Sequence, residues 1–274
     1  MTITVRVISD SINENGNRLT TLQLKYPRFI HAELITHRQF SRNASSSRAI
    51  PVETMIRNIR ENPAIPIHWG KNQPGMQARE ECDELVSTVD YGYEPKEEAW
   101  KHLMHKCCDM AESFSEAGYH KQIVNRLTEP FQHISVLVSA TEYDNFFSLR
   151  CHPDAQPEIQ LLATEMRIAM EDSIPELLNE DQWHLPYISN EEKLSFPYSY
   201  LIKLSVARCA RVSYLTHDNK KPNLEDDIKL YERLVGSVPI HASPAEHQAT
   251  PSLDGNANFV GWKQHRRFLE ENNA

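Results

Sequence analysis

The chain has 274 residues, 40% of them hydrophobic and 24% charged, with a net charge of −9 at pH 7. That is globular composition, long enough for one sizeable core or two small ones, and no apolar run is long enough to cross a membrane. The acidic balance argues against a long polyanionic partner such as DNA or tRNA, while a few arginines in one pocket still suffice for a small phosphorylated ligand.

Residues 3–8 and 18–25 alternate apolar and polar side chains and read as strands, with NENGN between them as a hairpin turn. The N-terminus therefore reads as a strand and not as a signal peptide. Pro27 opens a helix in RFIHAELITHR, where Phe29, Ile30, Leu34 and Ile35 share helical spacing. QFSRNASSSRAIP has no apolar period and reads as a loop. PVETMIRNIREN is a short amphipathic helix, AIPIHWGKNQPGMQ is irregular, and EPKEEAWKHLMHKCCDMAESFSEAG is a long helix closed by Gly118. The apolar stretch 130–149 reads as helical in its first half, and DAQPEIQLLATEMRIAMEDSIPELL as one amphipathic helix. NEDQWHLPYISNEEKLSFP is the best linker candidate. Beyond it, SYLIKLSVARCARVSY and the helix NLEDDIKLYERLVGS form a compact unit, followed by a loop, HASPAEHQATPSLDGNANF, and a terminal helix, VGWKQHRRFLEENN. The pattern is mixed α and β without regular βαβ alternation.

The densest group of chemically active side chains is His37, Arg38, Ser41, Arg42, Asn43, Ser45, Ser46, Ser47 and Arg48. Guanidinium forks, hydroxyls and free backbone N–H groups suit a phosphate or another anionic oxygen. A solvated loop could share this composition, but no Asp or Glu compensates the donors between Thr36 and Ile50. Arg126 and Arg150 are further candidates, although either one taken alone reads first as the partner of a local carboxylate. His241, Ser243, Glu246 and His247 form a third cluster. Neither it nor His102 and His105 near Cys107 and Cys108 matches a standard metal-ligand pattern, so no metal is expected. The five cysteines, Cys82, Cys107, Cys108, Cys151 and Cys209, are odd in number and lack a Cys-x-x-Cys pair, which reads as reduced thiols in the cytoplasm. Walker, G-x-G-x-x-G and G-x-S-x-G fingerprints are absent.

Together these clusters resemble the flavin-dependent thymidylate synthases. That family carries Arg-His-Arg, seven residues, then Ser and soon another Arg; here Thr36, His37 and Arg38 are followed by seven residues and then Ser46, Ser47 and Arg48. NRLTEP supplies the family's next Arg as Arg126, before Pro130. NFFSLRCHPDAQPEI supplies Asn145, Arg150, Ala155, Gln156, Glu158 and Ile159 at matching spacing. Two signatures that come first in the family come last here: Ala210-Arg211-Val212-Ser213, and His241-Ala242-Ser243-Pro244-Ala245-Glu246-His247. This is the order of a circular permutation, with its joint near 180–200 in a single catalytic domain spanning 1–274.

The resemblance implies an α+β fold with a mixed or antiparallel sheet and flanking helices. It implies methylation of dUMP to dTMP, with methylenetetrahydrofolate as carbon donor, FAD as hydride carrier and NADPH as reductant, in a homotetramer and with no enzyme cysteine as nucleophile. Ser46, Ser47, Arg48 and Arg126 would hold the nucleotide, with Arg150 and Ser46 at the reacting base. His37, Arg38, Asn43, Asn145, Ser213, His241, Ser243 and Glu246 would line the flavin. The chain departs from the pattern at Thr36 for Arg, Ala44 for Glu, Ser139 and Thr141 for Asn and Arg, and Asp154 for His. Those departures admit two other readings: a pyrimidine deoxynucleotide 5-hydroxymethylase on the same fold, and an inactive nucleotide-binding protein.

Overall fold

The computed structural model describes residues 3–212, 223–253 and 257–271. Strands β1 (Thr4–Asn13) and β2 (Arg18–Pro27) form an antiparallel hairpin. Its turn is held by the Asn13 side chain, whose Oδ1 accepts from the N–H groups of Asn15 at 3.1 Å and Asn17 at 3.0 Å. A 3₁₀ turn (Arg28–Ile30) leads from Pro27 into α1 (His31–Ile35). Next comes β3 (Ser41–Ala44), where the sequence reading expects a loop. The strand has period-2 burial, but the buried side chains are Ser41 and Asn43. An alternation of polar residues gives no hydrophobic signal.

Helix α2 (Val52–Glu61) packs Met55, Ile56 and Ile59 toward α3 (Lys96–Glu116), with the small ribbon of β4 (Val86–Thr88) and β5 (Gly92–Glu94) between them in sequence. Gly118 ends α3 at φ +89°, the left-handed conformation expected just past a helix C-terminus. After α4 (Lys121–Val124) and a 3₁₀ turn (Asn125–Phe131) comes β6 (His133–Ala140). The sequence reading expects helix here. A short apolar run fits either state, and pairing with β2 on one side and β3 on the other decides for strand.

Helices α5 (Asp144–Arg150) and α6 (Pro157–Glu171) follow. Helix α6 is shorter than its apolar pattern suggests: Pro175 cannot continue it, and Glu176–Leu178 becomes β7, parallel to β1. The expected linker is ordered structure. His184 and Leu185 within it are buried, and α7 (Asn190–Ser195) starts on a reciprocal Ser189–Glu192 capping box. Helices α8 (Tyr198–Arg211) and α9 (Leu224–Val235) are joined through Asp227, which takes Arg208 Nε at 3.0 Å and Arg211 Nε at 2.7 Å. A 3₁₀ turn (Ser243–Glu246), β8 (Ala249–Pro251), β9 (Trp262–Gln264) and α10 (His265–Glu271) complete the described chain. Thus the C-terminal stretch expected as a plain loop and helix also holds a small ribbon.

The main sheet has the order β3-β6-β2-β1-β7 and is mixed, as expected. One face is apolar: Leu22, Leu24, Val136, Val138 and Ala140 pack with Phe146, Ile159, Leu162 and Met166. The other face carries Thr21, Gln23, Ser139, Ser41 and Asn43, which bond to residues of the C-terminal segment. The register of β1 shifts by one residue between Val7 and Ser9. Before the bulge, Val5 and Val7 lie against the apolar cluster; after it, Ser9 and Ser11 face His184 on the polar side. A one-residue slip exchanges faces because the side-chain period is two.

Candidate functional site

The Thr36–Arg48 segment runs along the edge of the sheet. At its start, His37 is buried and its ring meets Phe146 edge-on at 4.8 Å between centroids. Arg150, at the end of α5, donates Nε to His37 Nε2 at 3.1 Å and a terminal N–H to Thr36 Oγ1 at 3.3 Å. His37 Nε2 must therefore be an acceptor, so the imidazole is neutral. Burial, reinforced by the charges of Arg150 and Arg42, lowers its pKa in the same direction. Thr36 stands where the resembled pattern has arginine. A hydroxyl can accept from Arg150, whereas a second guanidinium there would repel it.

At the far end of the segment, pairing with β6 continues one residue past β3. Ser45 N–H donates to Ser135 O at 2.8 Å, and Ser45 Oγ accepts from Ser135 N–H at 3.1 Å. A turn from Ser46 to Ala49 follows. Buried Asn125 donates Nδ2 to Ser47 O at 2.7 Å and to Ile50 O at 3.0 Å, and Lys121 donates to Ala49 O at 3.1 Å. Asn125 thus ties the serine turn to Arg126, its own neighbour in sequence. Sequence reading passed over Asn125; its place directly before Arg126 is the one available signal. Arg38 and Arg48 are exposed, with no charged partner among the described residues. Arg126 is also largely exposed and shares Glu129 with Arg28, at 3.3 and 3.1 Å.

The third cluster folds onto β3. Asn43 Nδ2 donates to Cys209 O at 2.8 Å, and its Oδ1 accepts from Ser243 Oγ at 3.2 Å. His241 and Ser243 are exposed beside this contact, while Glu246 pairs with Arg266. His247 points into the core and shares a 2.8 Å hydrogen bond with Ser139. Arg211 of the Ala-Arg-Val-Ser motif is engaged by Asp227, and Ser213 lies outside the described residues. Asn145 is exposed on α5. The structure therefore brings Thr36, His37 and Arg150 together, joins Asn43 to Ser243, and joins the serine turn to the Arg126 turn.

The departures have local explanations. Ser139 is fully buried between Thr21, at 2.6 Å, and His247. Thr141 Oγ1 accepts the Val260 N–H at 3.0 Å. Asp154 pairs with Arg79 at 2.9 Å across a cleft of about 890 Å³ that also includes His152, Gln156 and Gln160. Gln156 caps α6 by accepting the Ile159 N–H at 3.1 Å, and buried Glu158 accepts the Ile67 N–H at 2.9 Å, anchoring the loop that forms the other wall.

A family model described as thymidylate synthase complementing protein matches residues 18–176. The chain belongs to the thymidylate synthase complementing protein family. Membership makes it a thymidylate synthase-like one-carbon methyltransferase. The match includes Thr36–Arg48, Arg126, Asn145 and Arg150, and stops before the C-terminal motifs. Among solved structures, the chain is similar to the UMP/dUMP methylase PolB from Streptomyces cacaoi bound with 5-Br UMP: 16% identity over 61% of this chain and 88% of that one, TM-score 0.45. The same enzyme bound with 5-Br dUMP gives 15% identity over 61% and 89%, TM-score 0.41. No curated protein matches the chain. No described helix is long and apolar enough to cross a membrane.

Proposed function

We propose that this member of the thymidylate synthase complementing protein family methylates dUMP at C5, taking the carbon from methylenetetrahydrofolate and the hydride from FAD reduced by NADPH. The observation that carries the reading is the setting of Arg150. Its hydrogen bonds go to a neutral imidazole and a hydroxyl, so the guanidinium is oriented without being neutralised. Such a cation stabilises negative charge that develops on a pyrimidine ring oxygen as the base becomes enolate-like. Arg48 and Arg126, with the hydroxyls of Ser46 and Ser47, form the phosphate end of the site through charge-assisted hydrogen bonds.

The residues for a flavin fit in part. Arg38, Asn145 and His241 are exposed polar groups able to take a ligand, and Ser243 is exposed with its hydroxyl donating to Asn43, while His37, Asn43 and Glu246 hold the wall behind them. Bound reduced FAD would supply the hydride, and the redox chemistry would be the cofactor's own. The exposed, unneutralised arginines fit a site completed by further copies of the chain in a homotetramer. A second reading rests on Ser139, which is sealed in the core and cannot face a cofactor. Altered flavin contacts of this kind favour a 5-hydroxymethylase, in which water takes the place of hydride.

The test is a visible spectrum of the purified protein with added FAD, titrated with dUMP and then dCMP, followed by product analysis with methylenetetrahydrofolate and NADPH. A flavin band perturbed by dUMP, with dTMP formed, is expected. A hydroxymethyl product would select the second reading. Absence of both flavin and nucleotide binding would overturn both.

A further inference from the structure

By sequence, Arg42 belongs to the donor-rich segment that suits an anion, but the fold turns it onto the main chain. In β3, Ser41 and Asn43 are buried on the polar face of the sheet. Alternation therefore sends Arg42 and Ala44 to the other face, where Ala44 packs against the apolar cluster. Pairing with β6 fixes the strand, with Arg42 opposite Val138. From there Arg42 Nη1 donates to Ile35 O at 2.6 Å and to His37 O at 3.4 Å. These carbonyls belong to the residues on either side of Thr36.

Helix α1 has five residues, too few for a helix to be stable alone, and the carbonyls of its last turn have no partner within the helix. A cation at that end is also favoured by the helix dipole. The Thr36 hydroxyl donates to Glu33 O at 2.6 Å, which leaves its oxygen as the acceptor facing Arg150. Thr36 Oγ1 and His37 Nε2 are the two acceptors that orient Arg150. Their positions follow the backbone of residues 35–37, and Arg42 ties that backbone to the sheet. The charge of Arg42 acts on His37 in the same direction as that of Arg150, toward the neutral imidazole that can accept.

We propose that Arg42 is a positioning residue for the reaction at the pyrimidine: it clamps the chain on both sides of Thr36 and so holds the two acceptors that aim Arg150. The proposal rests on the pyrimidine nucleotide reading above. In that reading Arg150 acts on negative charge that develops in the transition state, whereas Arg48, Arg126 and the serine turn hold the phosphate in the ground state as well. Loosening the clamp therefore lowers turnover more than affinity.

Turnover of dUMP with FAD, methylenetetrahydrofolate and NADPH, beside calorimetric titration with dUMP, tests this in two variants. Arg42→Met keeps the stem and removes donor and charge. Arg42→Lys keeps both, and one ammonium can replace one Nη1 because the contacts are not a two-nitrogen fork. Arg42→Met should lower kcat about tenfold or more while weakening dUMP by about threefold or less. Arg42→Lys should recover most of the lost kcat. Arg42→Gln, shorter and uncharged, serves the same test should Arg42→Met fail to fold. The proposal is overturned if loss of Arg42 leaves kcat within about twofold of wild type, if dUMP affinity falls as far as kcat, or if Arg42→Lys does no better than Arg42→Met. Wild type that turns over no pyrimidine nucleotide overturns the nucleotide reading and this proposal with it. Wild-type turnover that survives the loss of Arg42 overturns this proposal alone.

Discussion

The two faces of the central sheet are built on different physics. On the α5–α6 side, Leu22, Leu24, Val136 and Val138 are fully buried among other apolar side chains. Attraction there is non-directional and scales with area. On the opposite side, a chain of hydrogen bonds crosses three strands: His247 to Ser139, Ser139 to Thr21, Thr21 to His184, and His184 to Ser11, at 2.8, 2.6, 2.8 and 2.9 Å. These groups are buried, so each depends on its partner. The apolar face holds the sheet together. The polar face fixes where the C-terminal segment sits, and thereby sets Ser243 against Asn43. Directional bonds fix a register that oily contact would leave loose.

Acid should separate the two faces most strongly. Burial lowers the pKa of both His184 and His247 to about 3. Their neutral forms are kept in the fold, while in the unfolded chain they titrate near 6.5. Their contribution is thus complete above pH 6.5 and is lost as pH falls toward 3, at about 1.4 kcal/mol per pH unit for each histidine. Urea unfolding from pH 7 to pH 4.5 should show this slope, and His247→Phe should flatten it by one histidine's share. An unchanged slope in that variant would remove His247 from the account.

On the apolar face, Phe146→Ala should cost about 3–5 kcal/mol by denaturant unfolding, the usual range for emptying an aromatic core site. It also removes the ring against His37, so dUMP affinity should fall together with stability. Ser139→Ala should cost less, about 1–3 kcal/mol, by leaving His247 Nδ1 buried without a partner. Adding His247→Phe should recover part of that loss, since both ends of the contact then become apolar. A double variant as unstable as the sum of the singles would show that the two residues are not coupled.

The smallest effect should be the most selective. Asn125→Ala releases the carbonyls of Ser47 and Ile50 and lets the serine turn drift from Arg126. Affinity for dUMP should fall about tenfold, near 1.4 kcal/mol, while binding of deoxyuridine, which lacks the phosphate, should hardly change. Equal losses for both ligands would mean that Asn125 serves general packing and not the phosphate end of the site.

Much of this protein was legible in local pattern. The β1–β2 hairpin, the amphipathic α2, α3 and α9, the Gly118 terminus and the donor-rich Thr36–Arg48 segment all follow from spacings of two to four residues. The misread elements share a cause. Strand β3 buries serine and asparagine, and in β6 Leu137 interrupts the alternation of Ile134, Val136 and Val138 with Ser135 and Ser139, so neither displays a clean hydrophobic alternation that distinguishes strand from loop or helix. The 179–197 segment looks like a linker because its polar residues and prolines hide His184 and Leu185, which are buried only once the C-terminal segment closes over the sheet. By itself, the sequence determined which side chains were available: an uncompensated set of arginines and hydroxyls, and a family pattern spread over distant motifs. Tertiary structure decided which of them meet. Arg150 reaches His37 across 113 residues, and Ser243 reaches Asn43 across 200. Periodicity reads one or two turns of chain, whereas a buried hydrogen bond is completed by whichever donor the fold brings to it.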